Sequence, residues 1–313
     1  MKEKQKVIVI IGPTGVGKTN LSIEIAKRLN GEIISGDSMQ IYKGMDIGTA
    51  KIRVNEMRGI PHHLIDIKDP DESFSAAEFQ MLARECITDI SSRGKTAIVA
   101  GGTGLYIQSL LYDYQFSEQP SDPGYRRQME KTAEEKGSDY VHSLLRECDP
   151  ESASRIHPNN ERRVIRALEI FYSSGKTMTE QLKHQKREEH FHSAIIGLTM
   201  DRETLYYRIN HRVDSMMEEG LLEEVTRLYE SGLTSGQAVQ AIGYKEIYQY
   251  LKGGMTLEEA VEQLKQNSRR YAKRQLTWFR NKMDVEWFDM TPPADPQQKL
   301  DEIFTYIAGK LHL

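Results

Sequence analysis

Gly12, Gly17, Lys18 and Thr19 stand in the spacing Gly-x-x-x-x-Gly-Lys-Thr, inside the run VIVIIGPTGVGKT from Val7 to Thr19. That spacing is a phosphate cradle. Its glycines let backbone N–H groups turn inward, and a following helix aims the positive end of its dipole at the anion. Lys18 adds a mobile cation and Thr19 offers a hydroxyl to magnesium. Gly12, Pro13, Thr14, Gly15, Val16, Gly17, Lys18 and Thr19 are therefore the candidate diphosphate-binding residues. Lys18 and Thr19 are also candidate catalytic groups, and Thr19 is the candidate metal residue, with Mg2+ the expected cofactor. None of these groups reads a base, so the rest of the ligand is open.

An ATPase or GTPase usually places an acid at the end of a core strand to hold the magnesium shell. Here the strand TAIVA runs into Gly101-Gly102-Thr103-Gly104, with no acid. Asp37 follows the strand EIIS instead, and in a doubly wound sheet that puts it beside the cradle. Three roles are open to it: holding magnesium through water, taking a proton from an acceptor nucleophile, or capping a turn over DSMQ. Arg208 and Arg212 lie four residues apart on a helical stretch, YYRINHRVD. They read either as a clamp on the diphosphate or as surface ion-pair partners.

Net charge is −4, which argues against a polyanionic partner for the chain as a whole, but the charge is unevenly placed. SRRYAKRQLTWFRNKM, residues 268–283, carries six basic residues and no acid, with Tyr271, Trp278 and Phe279 interleaved. Arg270, Lys273 and Arg274 at its centre are candidates for tracking a nucleic-acid backbone, with the aromatics stacking on bases. The alternative is a solvated helix face whose aromatics pack into the core. A second patch, Arg162, Arg163 and Arg166 in ERRVIRALE, falls on one or two adjacent helical faces.

These residues need a frame. TNLSIEIAKRLNG has helical spacing and stops at Asn30-Gly31; EIISGDSMQIY reads as a strand; SAAEFQMLARECITDISSRG is helical; KTAIVAGGTGLY is a buried strand entering glycines. The alternation predicts an α/β fold with a doubly wound parallel sheet, and SAIIGLTMD (Ser193 to Asp201) is one more core strand. Between about residues 116 and 192 the alternation gives way to polar helix, which predicts an inserted helical subdomain. From Thr204 onward the chain reads as nearly all helix, broken at TPPADPQQ. The expected division is a first part of the P-loop core over 1–115, the insert over 116–192, core completion with the basic helical region over 193–290, and a tail helix over 291–313.

With 313 residues, 38% of them hydrophobic and 28% charged, the chain has the composition of a soluble globular protein. Two cysteines, Cys86 and Cys148, give neither a disulfide framework nor a zinc site. No signal or membrane segment is legible, so the expected location is the cytoplasm.

GPTGVGKT, SGDSMQIYKGMDIGTAK, PHHLID, VAGGTGLY, RVIRALE, AIGYKE and YAKRQLTWFRN together resemble the tRNA dimethylallyltransferases, in their bacterial form, from about Val7 to Asn281. The resemblance implies transfer of a dimethylallyl group from dimethylallyl diphosphate to the exocyclic amine of the adenine 3′-adjacent to the tRNA anticodon. It makes the cradle an isoprenoid diphosphate site and Asp37 the group acting on the amine. It implies tRNA contacts, in the anticodon stem-loop, from Asp37, Ser38, Met39, Gln40, Thr103, Arg126 and the run Arg162, Arg163, Val164, Ile165 and Arg166. A monomer is expected. The rivals are a P-loop small-molecule kinase and an isopentenyltransferase acting on free AMP or ADP, neither of which needs a basic aromatic helix.

Overall fold

Five consecutive apolar residues, Val7 to Ile11, have no polar face to offer water, so they belong at the centre of a sheet. The structure, a computed structural model describing residues 4–112, 114–116, 122–183, 185 and 188–312, places them there. Two compact units emerge, Met1–Tyr112 with Glu189–Leu313, and Asp113–Glu188. The first begins with β1 (Lys6–Ile11), α1 (Lys18–Arg28), β2 (Gly31–Ser35), β3 (His62–His63), α2 (Ala76–Ser92), β4 (Thr96–Gly101) and α3 (Gly104–Leu111). The second holds α4 (Pro123–Lys136), α5 (Ser138–Cys148), α6 (Pro150–Arg155), α7 (Glu161–Ser174) and α8 (Met178–Lys183). The chain then returns to the first through β5 (His192–Thr199), α9 (Arg202–Glu218), α10 (Leu221–Glu230), α11 (Tyr244–Leu251), α12 (Leu257–Lys282), β6 (Glu286–Asp289) and α13 (Pro296–Leu311).

The six strands form one sheet in the order β3-β2-β4-β1-β5-β6. Each pairing is parallel. Alternate residues of β1 feed two cores: Val7, Val9 and Ile11 pack with α2, α3, α10 and α11, while Ile8 and Ile10 pack with α1 and α13. The connection from β1 leaves toward β2 and that from β4 passes to the other side, so the carboxyl end of β1 is the switch point at which such sheets take ligands.

Four expectations change. The strand expected over EIISGDSMQIY ends at Ser35. Asp37 Oδ1 accepts the Met39 N–H at 2.9 Å, an Asx turn that lifts DSMQ out of the sheet. β3 and β6 were not expected at all; β3 has two residues, and β6, EWFD, lies at the edge, where its register on β5 pairs Ile196 with Glu286 and Thr199 with Asp289. The helical unit spans Asp113–Glu188 rather than 116–192, so residues 189–192 belong with the sheet. The tail helix α13 is not a separate body, because Ile303, Ile307 and Leu311 are buried against the sheet.

The helical unit has its own core, in which Val141, Leu145, Val164, Ile165 and Leu168 meet. Two buried carboxylates tie its helices. Asp149 accepts from Ser152 N and Thr179 N, each at 3.0 Å, and from Thr179 Oγ1 at 2.6 Å. Glu169 takes both Nε and Nη2 of Arg126 at 2.9 Å, and also pairs with Arg166.

Candidate active site: a cationic cleft at the end of β1

The cradle is built by backbone conformations that only glycine adopts without strain: φ is +149° at Gly12, +83° at Gly15 and +103° at Gly17. Gly12 is doubly required, since a Cβ there would stand 2.7 Å from the Leu198 carbonyl of β5. Gly17 is the N-cap of α1, and Lys18 and Thr19 open the helix, with no acid in its first turn to compete for an incoming anion. Lys18 Nζ donates to the Gly12 and Pro13 carbonyls at 3.0 and 2.8 Å. Burial pushes its pKa down to about 8; the field of Asp37 opposes the shift and that of Arg212 adds to it.

Around this loop lies a cleft of about 400 Å³ whose lining includes Thr14, Gly15, Gly17, Lys18, Thr19, Asp37 and Gln40 on one set of loops, and Arg208, Arg212, Tyr271 and Gln275 from α9 and α12. Of the charged residues lining it, three are cations and Asp37 is the one carboxylate. Arg212, largely withdrawn from water, has its pKa lowered by burial against the opposing fields of Asp37 and Glu219. Arg208 and Arg212 both line the cleft, and neither forms an ion pair with a carboxylate among the described residues. Thr19 is exposed at the cleft, and no group of three or more His, Cys, Asp or Glu able to hold a metal occurs among the described residues. Magnesium fits such a donor set, because it keeps several waters and binds through one or two protein groups together with substrate phosphates.

The acceptor side is a set of interlocked turns. Asp37 spends Oδ1 on its own turn, which fixes the carboxylate; capping is thus one of its roles. The Ser38 N–H donates to Thr103 Oγ1 at 3.1 Å, tying DSMQ to the glycine turn after β4. The Gln40 side chain is committed inside the protein: Oε1 accepts from Ser35 Oγ at 3.0 Å, and Nε2 faces the Thr49 and Ala50 carbonyls at 3.4 Å. Glu224, buried, accepts from the backbone N–H groups of Asp46, Ile47 and Gly48 and from the Tyr244 hydroxyl at 2.6 Å, anchoring the next loop along. That accounts for MDIGTAK and AIGYKE, whose roles the sequence did not disclose.

α12 divides its residues by face. Arg270, Lys273 and Arg274 are exposed; Ala272, Gln275 and Phe279 are buried. The aromatics do not form an outward stacking platform. Phe279 lies in the core, Trp278 packs on Gly104, and Tyr271 lines the cleft with Arg274 5.7 Å over its ring. Burial and then the field of Asp37 push the Tyr271 phenol up to about 12, so it stays protonated. Gln275 and His62 are cleft residues that the sequence did not single out, and Tyr271, read there only as one of the aromatics of the basic segment, lines the cleft as well.

In the helical unit, Arg162 and Arg163 are exposed, while Arg126 and Arg166 share the Glu169 carboxylate. Val164 and Ile165, expected among the contact residues, are 1% and 3% exposed. They are corrected to core residues, since a side chain enclosed between helices has no surface to give a ligand.

The family model described as IPP transferase matches residues 40–282. A tRNA dimethylallyltransferase of Bacillus subtilis (strain 168) is 64% identical over 310 residues, covering 99% of both chains. The solved structure of a full-length tRNA isopentenylpyrophosphate transferase from Bacillus halodurans aligns over 99% of this chain and 97% of its own, at 54% identity and a TM-score of 0.76. A eukaryotic dimethylallyltransferase acting on tRNA aligns over 98% of this chain and 79% of its own, at 36% identity and a TM-score of 0.84.

Proposed function

This chain belongs to the IPP transferase family, and we propose that it works as a tRNA dimethylallyltransferase, moving a dimethylallyl group from dimethylallyl diphosphate to the exocyclic amine of the adenine 3′-adjacent to the anticodon. The observation that carries the reading is the charge of the cleft, which is lined by Lys18, Arg208 and Arg212 and by one carboxylate, Asp37. Such a site favours an anion of more than one charge.

In the reaction, the C1–O bond of the donor breaks with its electron pair going to the diphosphate, and the adenine nitrogen forms the new C–N bond. An allylic cation is resonance-stabilised, so the protein's task is to neutralise the departing diphosphate and to keep water away. Lys18, the loop N–H groups, Arg208 and Arg212 do the first. An adenine amine is a poor nucleophile, and Asp37, held by its own turn, takes the proton that the nitrogen loses, so that positive charge does not build up there. Thr19 would hold magnesium, which would supply further neutralisation of the leaving group. The exposed cations Arg270, Lys273 and Arg274 suit the phosphate backbone of the tRNA. We take the protein to act as a monomer.

The test is acceptor choice. Protein is incubated with labelled dimethylallyl diphosphate, magnesium and either tRNA or AMP, and the labelled nucleoside is mapped by nuclease digestion. Label in the adenosine following the anticodon supports the reading; label in AMP alone, or none in either acceptor, overturns it.

A further inference from the structure

Gln275 belongs to the basic helix α12 but faces away from its cations, and it is 6% exposed. Its Oε1 accepts the Thr14 N–H of the P-loop at 3.0 Å, and its Nε2 donates to the Gly102 carbonyl after β4 at 3.0 Å. The orientation of the amide is forced, because a backbone N–H only donates and a carbonyl only accepts. Gly102 makes the approach possible: a Cβ there would stand 2.1 Å from Nε2. The next residue is Thr103, whose hydroxyl accepts the Ser38 N–H, and Ser38 adjoins Asp37. One buried amide thus touches the diphosphate cradle on one side and, one residue removed, the turn that carries the acceptor carboxylate on the other.

From this we infer that Gln275 is a positioning residue for the transfer reaction, setting the P-loop against the Gly102–Asp37 turns so that the diphosphate and the adenine amine meet in register. It touches no reacting atom. The inference rests on the cleft being the diphosphate site. Removing the amide frees the entry of the P-loop and the turn after β4 together, so donor binding and the chemical step should both suffer while the exposed face of α12 is untouched.

The experiment pairs two substitutions. Gln275→Met keeps the side chain's length and volume without its hydrogen bonds; Gly102→Ala leaves Gln275 in place but pushes its amide aside, at a cost borne by the end of a flexible side chain. Both variants, their combination and the wild type are measured for binding of the non-reacting dimethylallyl thiodiphosphate, tRNA binding and single-turnover rate. We expect each single variant to bind the analogue about 10-fold more weakly and to lose about 10²-fold in rate, with tRNA affinity within about twofold of wild type. The combination should be no worse than Gln275→Met, because both substitutions act through the same amide. Unchanged analogue affinity in folded variants, or losses that simply add, would overturn the inference. Should neither variant fold, amide exchange decides in the wild type: the Thr14 N–H must be protected, and exchange as fast as an open loop refutes the bond. A wild-type protein that fails to bind the analogue removes the diphosphate reading, and this inference with it.

Discussion

The P-loop cleft and the helical unit both gather arginines, yet they treat their charges in opposite ways. In the helical unit, Arg126 and Arg166 close on Glu169, a carboxylate 1% exposed, and the three side chains staple α4 to α7. Burial raises the Glu169 pKa, and the two guanidinium groups with the Asp122 N–H more than reverse this, so it lies below the usual carboxylate range. In the cleft, among the described residues, Lys18 hydrogen-bonds only to carbonyls of its own loop, and Arg208 and Arg212 have no ion-pair partner. Breaking a buried pair leaves an uncompensated charge, so paired charge is committed to the fold, whereas charge left without a close partner is held ready for a ligand. The pKa values carry the same distinction: that of Glu169 is lowered by its partners and that of Lys18 by burial and the like charge of Arg212.

The largest effect expected belongs to the cleft's carboxylate. Asp37→Asn can still cap the turn to Met39, so tRNA should bind normally, but the proton acceptor is gone and single-turnover rate should fall by roughly 10²–10⁴. The measurement is made over a magnesium series with saturating tRNA. A rate within about threefold of wild type, or recovery at high magnesium, would return Asp37 to a capping or metal-ordering role.

Lys18→Ala should come next, losing roughly 10²–10³ in rate through the poorer leaving group while thermal stability is unchanged. If it instead melts the protein, the cleft cation is as structural as those on Glu169. On α12, neutralising Arg270, Lys273 and Arg274 together should weaken tRNA binding and flatten its salt dependence by about two in log–log slope, leaving donor affinity alone. An unchanged slope would make these residues a solvated face.

Glu169→Gln is the mirror experiment. It removes the charge that two arginines share, so stability should drop by about 1–3 kcal/mol while donor affinity per folded molecule stays at the wild-type value. Because the folded-state pKa of Glu169 is depressed, its contribution is present above the unfolded carboxylate pKa and is lost as pH falls through the folded one. Denaturant melts of variant and wild type should therefore draw together as pH falls below the unfolded carboxylate pKa.

How much of this was legible beforehand depends on distance along the chain. The phosphate cradle was, because its chemistry is packed into eight residues and flanked by a strand and a helix whose periods are unmistakable. The acid at position 37 followed from topology alone. Gln275 reaches the cleft from over 250 residues beyond the P-loop, and a glutamine in a basic helix announces nothing by its type. A closer reading of period would have helped at α12, where Arg270, Lys273, Arg274 and Thr277 lie on one face and Tyr271, Gln275 and Trp278 on the other. The same holds for RVIRALE, where a helical stripe marks Val164, Ile165 and Leu168 as core. β3 and β6 were beyond reach, because a two-residue strand and a four-residue edge strand are defined by their neighbours rather than by any pattern of their own.

The smallest effect expected is a matter of protons. Lys18, with its pKa brought down to about 8, is charged at pH 7 in the free protein and loses its proton over a range where an ordinary lysine would not. A bound diphosphate favours the charged amine, so the pKa in the complex must lie above that in the free protein. Linkage then gives the sign: donor affinity is flat below about pH 8, and above it falls as pH rises, by at most about tenfold per pH unit, until the pKa of the complex is passed. Binding of the non-reacting donor analogue from pH 6.5 to 9.5 reads this directly. Lys18→Arg stays charged throughout, so its profile should lose the break whatever its absolute affinity. A break that persists in Lys18→Arg would assign the titration to another group. A wild-type profile flat to pH 9.5 would mean that the amine is less withdrawn from water than the cleft geometry indicates, and would narrow the contrast between the cleft's lysine and an ordinary surface charge.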